Sequence, residues 1–256
     1  IKTINYAGTM TEWQALDFDA ASYGITVKYK ANTDYDFDTG LRYMSFGDGT
    51  CCVDLIPTVS FDKYTIPKLS PSGDKVVSMT QGMFAKRGEY FEITILADID
   101  IIPADLFSDT NVTSVSILGN TSKIGNTAFY DCDYLESITF SDHLKTIGEW
   151  AFYNTAITSI VIPDSVTTIG EHAFYQSKLE TLKLGKNLNK IGAYAFSGCT
   201  SLKGSIVIPN GVTVIEDGTF SDCSIEEVSF GDNLIKIGNR AFADCKLTNV
   251  VVPNSV

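Results

Sequence analysis

The sequence has few of the groups on which most binding and catalytic chemistries depend. Only two of its 256 residues are histidine, and 19 lysines and arginines stand against 31 aspartates and glutamates, for a formal net charge of −12 at pH 7. Nucleic-acid binding needs clustered basic residues that displace counterions, and a polybasic membrane contact needs them as well. The composition argues against both, and we expect no nucleic-acid partner.

Long apolar runs are also missing. No stretch approaches the roughly 20 apolar residues of a membrane-spanning helix, so we expect no membrane insertion in this fragment. The first residues lack an initiating methionine and the basic and apolar regions of a signal peptide. Because the chain begins and ends inside what look like repeat units, we interpret it as a fragment of a longer polypeptide. A leader or an anchor could belong to the missing parts.

The sequence contains no recognisable catalytic or metal-binding pattern. Neither His143 nor His172 is arranged with a serine or cysteine that looks like a nucleophile. The glycines recur at a regular spacing that indicates turn punctuation and not a phosphate-binding loop. The six cysteines include no Cys-x-x-Cys pair of the kind that indicates zinc. The alternating aspartates of residues 34–38 begin like an EF-hand loop, but its glycine and final glutamate are absent. We expect a protein with no catalytic residue, no metal site and no cofactor.

One pattern is abundant, and it is an aliphatic residue followed five positions later by phenylalanine. It occurs as Met79…Phe84, Ile102…Phe107, Ile124…Phe129, Ile147…Phe152, Ile169…Phe174, Ile191…Phe196, Ile215…Phe220 and Ile237…Phe242. Successive phenylalanines lie 22 to 24 positions apart, and a fixed period in this range predicts a solenoid of stacked repeats.

Each repeat also contains a short apolar alternation, such as Ile160/Ile162 or Leu182/Leu184, which predicts a strand with one buried face. Stacked strands would form a parallel sheet along one side. The Gly-x-x-Ala-Phe stretch has helix formers but only about one turn of length, so we expect a short helical or 3₁₀ turn on the opposite side. The fold class is therefore an α/β or mainly β solenoid in which each phenylalanine stacks inward on the next.

Four cysteines lie three residues after a repeat phenylalanine, at a position where other repeats have threonine or serine. A position that accepts these three residue types indicates a small buried side chain, since free cysteine is among the most buried residues. We interpret the cysteines as inert thiols, with a disulfide or a metal cluster as the alternatives. The candidate structural core consists of Phe84, Phe107, Phe129, Phe152, Phe174, Phe196, Phe220, Phe242, Cys132, Cys199, Cys223 and Cys245.

The repeat unit over residues 179–199 reads Leu-x-x-Leu-x-Leu-x-x-x-Leu-x-x-Ile-Gly-x-x-Ala-Phe-x-x-Cys. It resembles the BspA-like leucine-rich repeat of bacterial surface proteins, and residues 76–256 match that repeat specifically. The resemblance implies a right-handed leucine-rich repeat coil, secretion or display at the bacterial cell surface, and adhesion to host proteins or other cells. No catalytic residues come with it.

The resemblance also suggests how the chain is divided. Residues 1–40, with Tyr6-Ala7-Gly8-Thr9 and Glu12-Trp13, resemble the end of an upstream repeat array followed by an acidic linker. Residues 41–75 hold short strand-like pieces and resemble a lead-in; because a repeat array exposes apolar edges at its ends, we interpret them as an N-terminal cap. Residues 76–256 form the array of about eight units.

Two positions in the Gly-x-x-Ala-Phe stretch carry large rings in the middle repeats only. One lies two residues before the phenylalanine and the other directly after it, and both are expected to be at least partly exposed. Stacking would gather them into a candidate binding ridge of Tyr130, Trp150, Tyr153, His172, Tyr175 and Tyr194. Exposed aromatic patches are typical of partner contacts, although rings that only shield the turn would give the same pattern. The outward strand positions are small and mostly uncharged, so we expect that the sheet is not the main binding surface.

These features favour an extracellular or cell-surface binding module that is not an enzyme. Its partner would be a host matrix protein, another cell-surface protein or a glycan. The alternative is a structural spacer that presents another domain of a longer surface protein and binds nothing itself.

Overall fold

The structure is a computed structural model that describes residues 2–6, 25–29, 33–36, 41–55 and 61–256. Most of the segment that resembles the end of an upstream array, residues 7–24, lies outside the described residues. Near the N-terminus, β1 (Lys2–Tyr6) pairs in parallel with β2 (Ile25–Tyr29). The alternation Ile25-Thr26-Val27-Lys28-Tyr29 predicts a strand, and β2 confirms it.

The described residues from 61 onward form a parallel-strand solenoid of about eight turns, each of which we call a rung. One side of every rung is a strand of three to six residues, and we call this the long-strand side. Its strands are β6 (Lys63–Ile66), β8 (Phe91–Ile95), β10 (Val112–Ile117), β12 (Ser137–Thr139), β14 (Ser159–Val161), β16 (Thr181–Lys183), β18 (Lys203–Val207) and β20 (Ser224–Ser229). Hydrogen bonding joins them in three groups, the first running from β6 to β12, the second pairing β14 with β16 and the third β18 with β20.

A second row of parallel strands, each two residues long, runs along another side of the coil. Its members are β9 (Ile101–Ile102), β11 (Lys123–Ile124), β13 (Thr146–Ile147), β15 (Thr168–Ile169), β17 (Lys190–Ile191), β19 (Val214–Ile215) and β21 (Lys236–Ile237). Hydrogen bonding joins β9 through β17 in one sheet and β19 with β21 in another. The second residue of each strand is the aliphatic residue that opens the repeated pattern, and it points into the core. Two residues are too few to show a period of two, so the sequence predicted only one of the two sheets.

The N-terminal end of the array is covered by a mixed sheet. Its strands β3 (Thr33–Asp36), β4 (Leu41–Ser45) and β5 (Thr50–Leu55) are antiparallel neighbours, and β5 then pairs in parallel with β7 (Lys75–Met79). Strand-like pieces were predicted close to β4, β5 and β6. Leu41, Tyr43 and Val53 belong to the same apolar core as the repeats, and the interpretation of residues 41–75 as an N-terminal cap stays a prediction.

A single column of stacked phenylalanine rings, which we call the phenylalanine file, runs along the core of the coil. Phe84 through Phe220 are fully buried, and each ring stacks on the next with centroids 5.0 to 5.2 Å apart as far as Phe220. Phe242, in the last rung, lies 5.4 Å from Phe220 and is only partly buried. The apolar alternation of the repeats also predicts a strand at Val250/Val252, the seventh of the series, but residues 250–252 are not in a strand, and Val250 and Val252 are exposed.

The third side of each rung, which we call the turn side, contains turns where the sequence suggested short helical or 3₁₀ turns. None of the described residues is helical. The backbone N–H groups of Trp150, Phe152 and Asn154 donate to carbonyl oxygens of the following rung, at 3.0, 2.7 and 3.0 Å. These donors are therefore not available for hydrogen bonds along a helix. In the other rungs, the N–H groups at the same alternate positions also donate to carbonyl oxygens of the rung that follows. These hydrogen bonds form a ladder along the turn side in which every donor belongs to the earlier rung.

Candidate functional site

The six rings of the candidate binding ridge lie together on the turn side, in four consecutive rungs. They form two columns. The inner column contains Trp150, His172 and Tyr194, which precede the buried phenylalanine by two residues, and the outer column contains the tyrosines that directly follow it. The sequence spacing predicted this contiguity, and the ring contacts give its geometry. What the ridge binds, if it binds, stays a prediction.

The inner column is a tight face-to-face stack. The Trp150 and His172 ring centroids are 4.0 Å apart with 5° between the planes, and His172 lies 5.1 Å from Tyr194 at 13°. The stack ends on the backbone of Gly218, where an added Cβ would lie 2.2 Å from Tyr194 Cε1. A glycine in the next rung is therefore what allows the tyrosine ring to lie flat.

The outer column stacks beside it and interlocks with it. The rings of Tyr130 and Tyr153 are 4.5 Å apart, and those of Tyr153 and Tyr175 are 5.9 Å apart, all nearly parallel. Contacts between the columns are edge-to-face, such as Trp150 with Tyr153 at 5.5 Å and His172 with Tyr175 at 5.3 Å. Neighbouring rings therefore cover the faces of the central rings, and the ridge presents mainly ring edges to solvent.

The inner column is held in an unusual backbone conformation. Trp150, His172 and Tyr194 have φ of 56°, 54° and 56°, in the left-handed region that bulky residues rarely adopt. The ladder to the following rung fixes this conformation, since all three N–H groups donate across it at 3.0 Å. Sequence reasoning could not find this strain, because no glycine or asparagine marks these three positions.

Exposure of the ridge is intermediate. Tyr194 is 39% exposed, and the other five residues are partly buried. The hydroxyl of Tyr153 lies 3.2 Å from Gln176 Oε1. A surface that is ordered by mutual packing and still reachable from solvent is suited to binding a partner without a large loss of side-chain entropy.

His172 is the one ring of the ridge whose ordinary pKa lies near neutral pH. Burial lowers its pKa below the usual histidine value, against the opposing influence of the Glu171 and Glu149 carboxylates, and so favours the neutral ring. Its Nδ1 lies 3.4 Å from Glu171 Oε1 but has no hydrogen-bond partner within the described part of the chain. Without a partner that fixes the ring or a nucleophile beside it, His172 is not arranged as a general base. The described residues also contain no group of three or more histidine, cysteine, aspartate or glutamate side chains placed to hold a metal ion.

The outward face of the long-strand side is mostly small and polar, as its sequence indicated, with three exceptions. Val161, Val207 and Val251 are 61%, 65% and 79% exposed. A groove of about 630 Å³ adjoins Val207 and is lined partly by Leu182, Leu184 and Phe230. The sequence analysis did not predict this groove. The signal that could have indicated it is the alternation of valine with serine or lysine at successive outward positions of the strands.

The family profile described as the BspA type leucine rich repeat region matches residues 100–204 and 204–256, in six copies and over more than half of the chain. The chain belongs to this family. The buried phenylalanine file, the two parallel sheets and the turn side are therefore the form that BspA-type repeats take here.

Solved structures show the same fold at low sequence identity. A leucine-rich repeat protein from Bacteroides ovatus is 22% identical with a TM-score of 0.54; the alignment covers 88% of this chain and 58% of that protein. The T. pallidum leucine rich repeat protein TpLRR is also 22% identical, with a TM-score of 0.55 and coverage of 80% and 86%. This BspA-type chain thus spans little more than half the length of the Bacteroides ovatus protein. No curated protein is significantly similar to the chain.

A membrane-crossing helix would need length and apolarity that none of the described segments of this BspA-type chain provides.

The cysteine column of the BspA-type repeats is made of free thiols. Cys199 Sγ lies 3.2 Å from the carbonyl oxygen of Phe174 in the preceding rung, and Cys223 Sγ lies 3.2 Å from that of Phe196. Cys132 Sγ makes the same contact with the carbonyl oxygen of Phe107 in the preceding rung. Where threonine replaces cysteine, Thr110 Oγ1 donates to the carbonyl oxygen of Phe107 in its own rung. Cysteine and threonine at this position can thus each satisfy a buried carbonyl.

We expect Cys199 to resist a thiol reagent that labels the half-buried Cys245. Burial raises the pKa of Cys199 to about 12, and only the thiolate reacts. Labelling of the native protein at pH 8, with site assignment by mass spectrometry, should show Cys199 reacting only after denaturant is added. Because its folded pKa lies above the unfolded value, its contribution to stability is full below about pH 8.5 and declines above it, as the unfolded thiol ionises. Linked Cys199–Cys223 peptides under non-reducing conditions would contradict this prediction.

Proposed function

We propose that the chain is a non-catalytic recognition solenoid displayed outside the cell, and that the ridge contacts its partner. The observation that carries the proposal is the confinement of six large rings to four consecutive rungs of one side. The flanking rungs have serine or alanine in the outer column and Asp105, Gly218 or Arg240 in the inner column. A ring needed only to shield a turn would be needed in every rung, because every rung has the same turn.

Three further points support the proposal. Tyrosine and tryptophan are enriched among the residues that dominate binding energies. The rings are ordered before any partner arrives, which lowers the entropy cost of association. The family membership supports display at the cell surface, with a host matrix protein, another surface protein or a glycan as the class of partner.

The second candidate is a structural spacer for another domain of a longer surface protein. The observation that favours it is the extent of ring-on-ring packing, since buried ring area stabilises a coil whether or not a partner binds. In a spacer, changing exposed parts of the ridge would alter stability and nothing else.

The triple substitution of Tyr130, Tyr153 and Tyr175 by serine separates the two candidates. We expect it to weaken binding to its target by at least about tenfold, since tyrosine anchors at interfaces are commonly worth more than 1 kcal/mol each. Binding is measured on immobilised host matrix proteins and on a glycan array, after circular dichroism has shown that the fold is retained.

The control is the replacement of Tyr90 and Tyr134 by serine. These two rings are not part of the ridge and form an exposed edge-to-face pair, with centroids 4.9 Å apart. If the triple variant binds as well as the unmodified chain, or if both variants lose binding equally, the ridge is not the contact surface.

A further inference from the structure

Four carboxylates on or next to the long-strand side of the coil are paired with lysines. Lys186 lies 2.8 Å from Asp164, Lys203 lies 3.6 Å from Glu180, and two similar pairs join Lys63 to Glu92 and Lys75 to Asp98. Each pair joins residues on or next to the strands of neighbouring rungs. Part of the negative charge on this side is thus compensated within the molecule.

The four turns that carry the ridge, residues 125–133, 148–155, 170–178 and 192–200, are different. They contain Asp131, Asp133, Glu149 and Glu171 but only one lysine, Lys178, and no arginine. None of the four carboxylates forms an ion pair with a lysine or arginine of the described residues. Asp131 and Asp133 both accept hydrogen bonds from Asn154 Nδ2, at 2.6 and 2.8 Å. The ridge therefore lies between two uncompensated negative edges.

Glu149 and Glu171 also line a groove beside the inner column. The groove has a volume of about 520 Å³, with Lys123 and Lys190 also in its lining. Each glutamate directly precedes a ring of the inner column, so aromatic edge and carboxylate alternate along two adjacent rungs. Neither lysine of the groove forms an ion pair with these glutamates.

We infer that the ridge and its acidic edges take an arginine-containing segment of a partner protein, which rests on the proposed function and specifies its ligand. Charge complementarity selects a cationic partner. Arginine fits better than lysine, because its guanidinium has five donors to share between a carboxylate and tyrosine hydroxyls, while its aliphatic stem packs along ring edges.

The same geometry disfavours glycans as the occupant. An anionic glycan would meet four carboxylates, and none of them forms an ion pair with a lysine or arginine of the described residues. A neutral sugar binds aromatic residues through exposed ring faces, and stacking covers the faces of the central rings, as between Trp150 and His172 at 4.0 Å.

The test measures binding of three probes to the whole chain by isothermal titration calorimetry. The probes are a short peptide of alternating arginine and glycine, the same peptide with neutral citrulline in place of arginine, and heparin as an anionic glycan. The variant is Glu149→Gln with Glu171→Gln, which removes two charges beside the ridge and leaves its rings. The matched control is Glu226→Gln with Glu227→Gln, which removes two exposed charges from the long-strand side.

We expect the arginine peptide to bind the unmodified chain, the citrulline peptide and heparin to bind at least about tenfold more weakly, and E149Q/E171Q to lose about tenfold in affinity for the arginine peptide. E226Q/E227Q should change it little, and added salt should weaken it. Equal losses in both double variants, equal binding of the citrulline peptide, or no binding of the arginine peptide would each overturn the inference. Heparin or glycan binding that is lost in the tyrosine triple variant would overturn it too, while leaving the binding ridge itself in place.

Discussion

Replacing Phe174 with alanine is expected to lower the free energy of unfolding by about 3–5 kcal/mol, the usual cost of deleting a buried phenylalanine ring from a core that cannot close over the gap. Phe174 is fully buried between Phe152 at 5.0 Å and Phe196 at 5.2 Å. Both neighbours are fixed by backbone ladders on either side, so neither can move to fill the space. Urea unfolding followed by circular dichroism measures the loss.

The matched control is Phe242→Ala, at the end of the same file. Phe242 is partly buried and stacks on one repeat phenylalanine, Phe220, with a second ring, Phe230, at its edge. We expect this change to cost roughly half as much, because less apolar area leaves water in the native state. Equal losses in the free energy of unfolding at the two positions would show that the stacked phenylalanines are not the main source of stability in the central rungs. Because each rung contacts only its neighbours, the Phe174 variant is also expected to unfold over a broader range of urea.

Replacing Gly119 with alanine is expected to destabilise the coil by about 3 kcal/mol or more, at or beyond the upper end of overpacking costs. A Cβ at this position would lie 1.8 Å from the carbonyl oxygen of Ala97 and 2.5 Å from its carbonyl carbon. Both are backbone atoms of the preceding rung, so the two rungs would have to separate. Thermal unfolding of the purified variant measures the effect.

Gly88→Ala provides the comparison, because nothing lies within 4 Å of a Cβ built there. We expect its unfolding free energy to stay within about 0.5 kcal/mol of the unmodified chain. If the two alanine variants were equally stable, close approach between rungs would not be the reason for glycine at position 119.

The glycines also show where sequence reasoning reached its limit. Their recurrence indicated turn punctuation, yet Gly148 and Gly170 have no positive φ; an added Cβ there would lie 2.6 to 2.7 Å from backbone atoms of the preceding rung. The positive φ angles belong instead to residues such as Trp150 and His172. A period in the sequence identifies equivalent positions, but which of them faces the neighbouring rung depends on the coil.

The spacing of the repeated pattern was enough to predict the repeat family, the inward phenylalanines and the long strands, since these depend on patterns of about 22 residues. The two-residue strands and the turns did not, because each depends on hydrogen bonds to a rung that lies far along the sequence. For the ridge, the spacing indicated which rings would meet. It could not indicate that their faces would be covered, because ring orientation is set by side-chain torsions and not by position in the repeat.

The one-way ladder of the turn side limits how two such coils can join end to end. Along it, every bridging N–H group points toward the C-terminal end and every accepting carbonyl toward the N-terminal end. Two molecules meeting through the same end, as a two-fold axis requires, would bring donors against donors or acceptors against acceptors. A contact that continues the ladder has to join unlike ends, and such a heterologous contact does not close on itself unless the rotation between copies makes a ring. The direction of these hydrogen bonds thus favours filaments over symmetric pairs wherever rungs of separate chains stack.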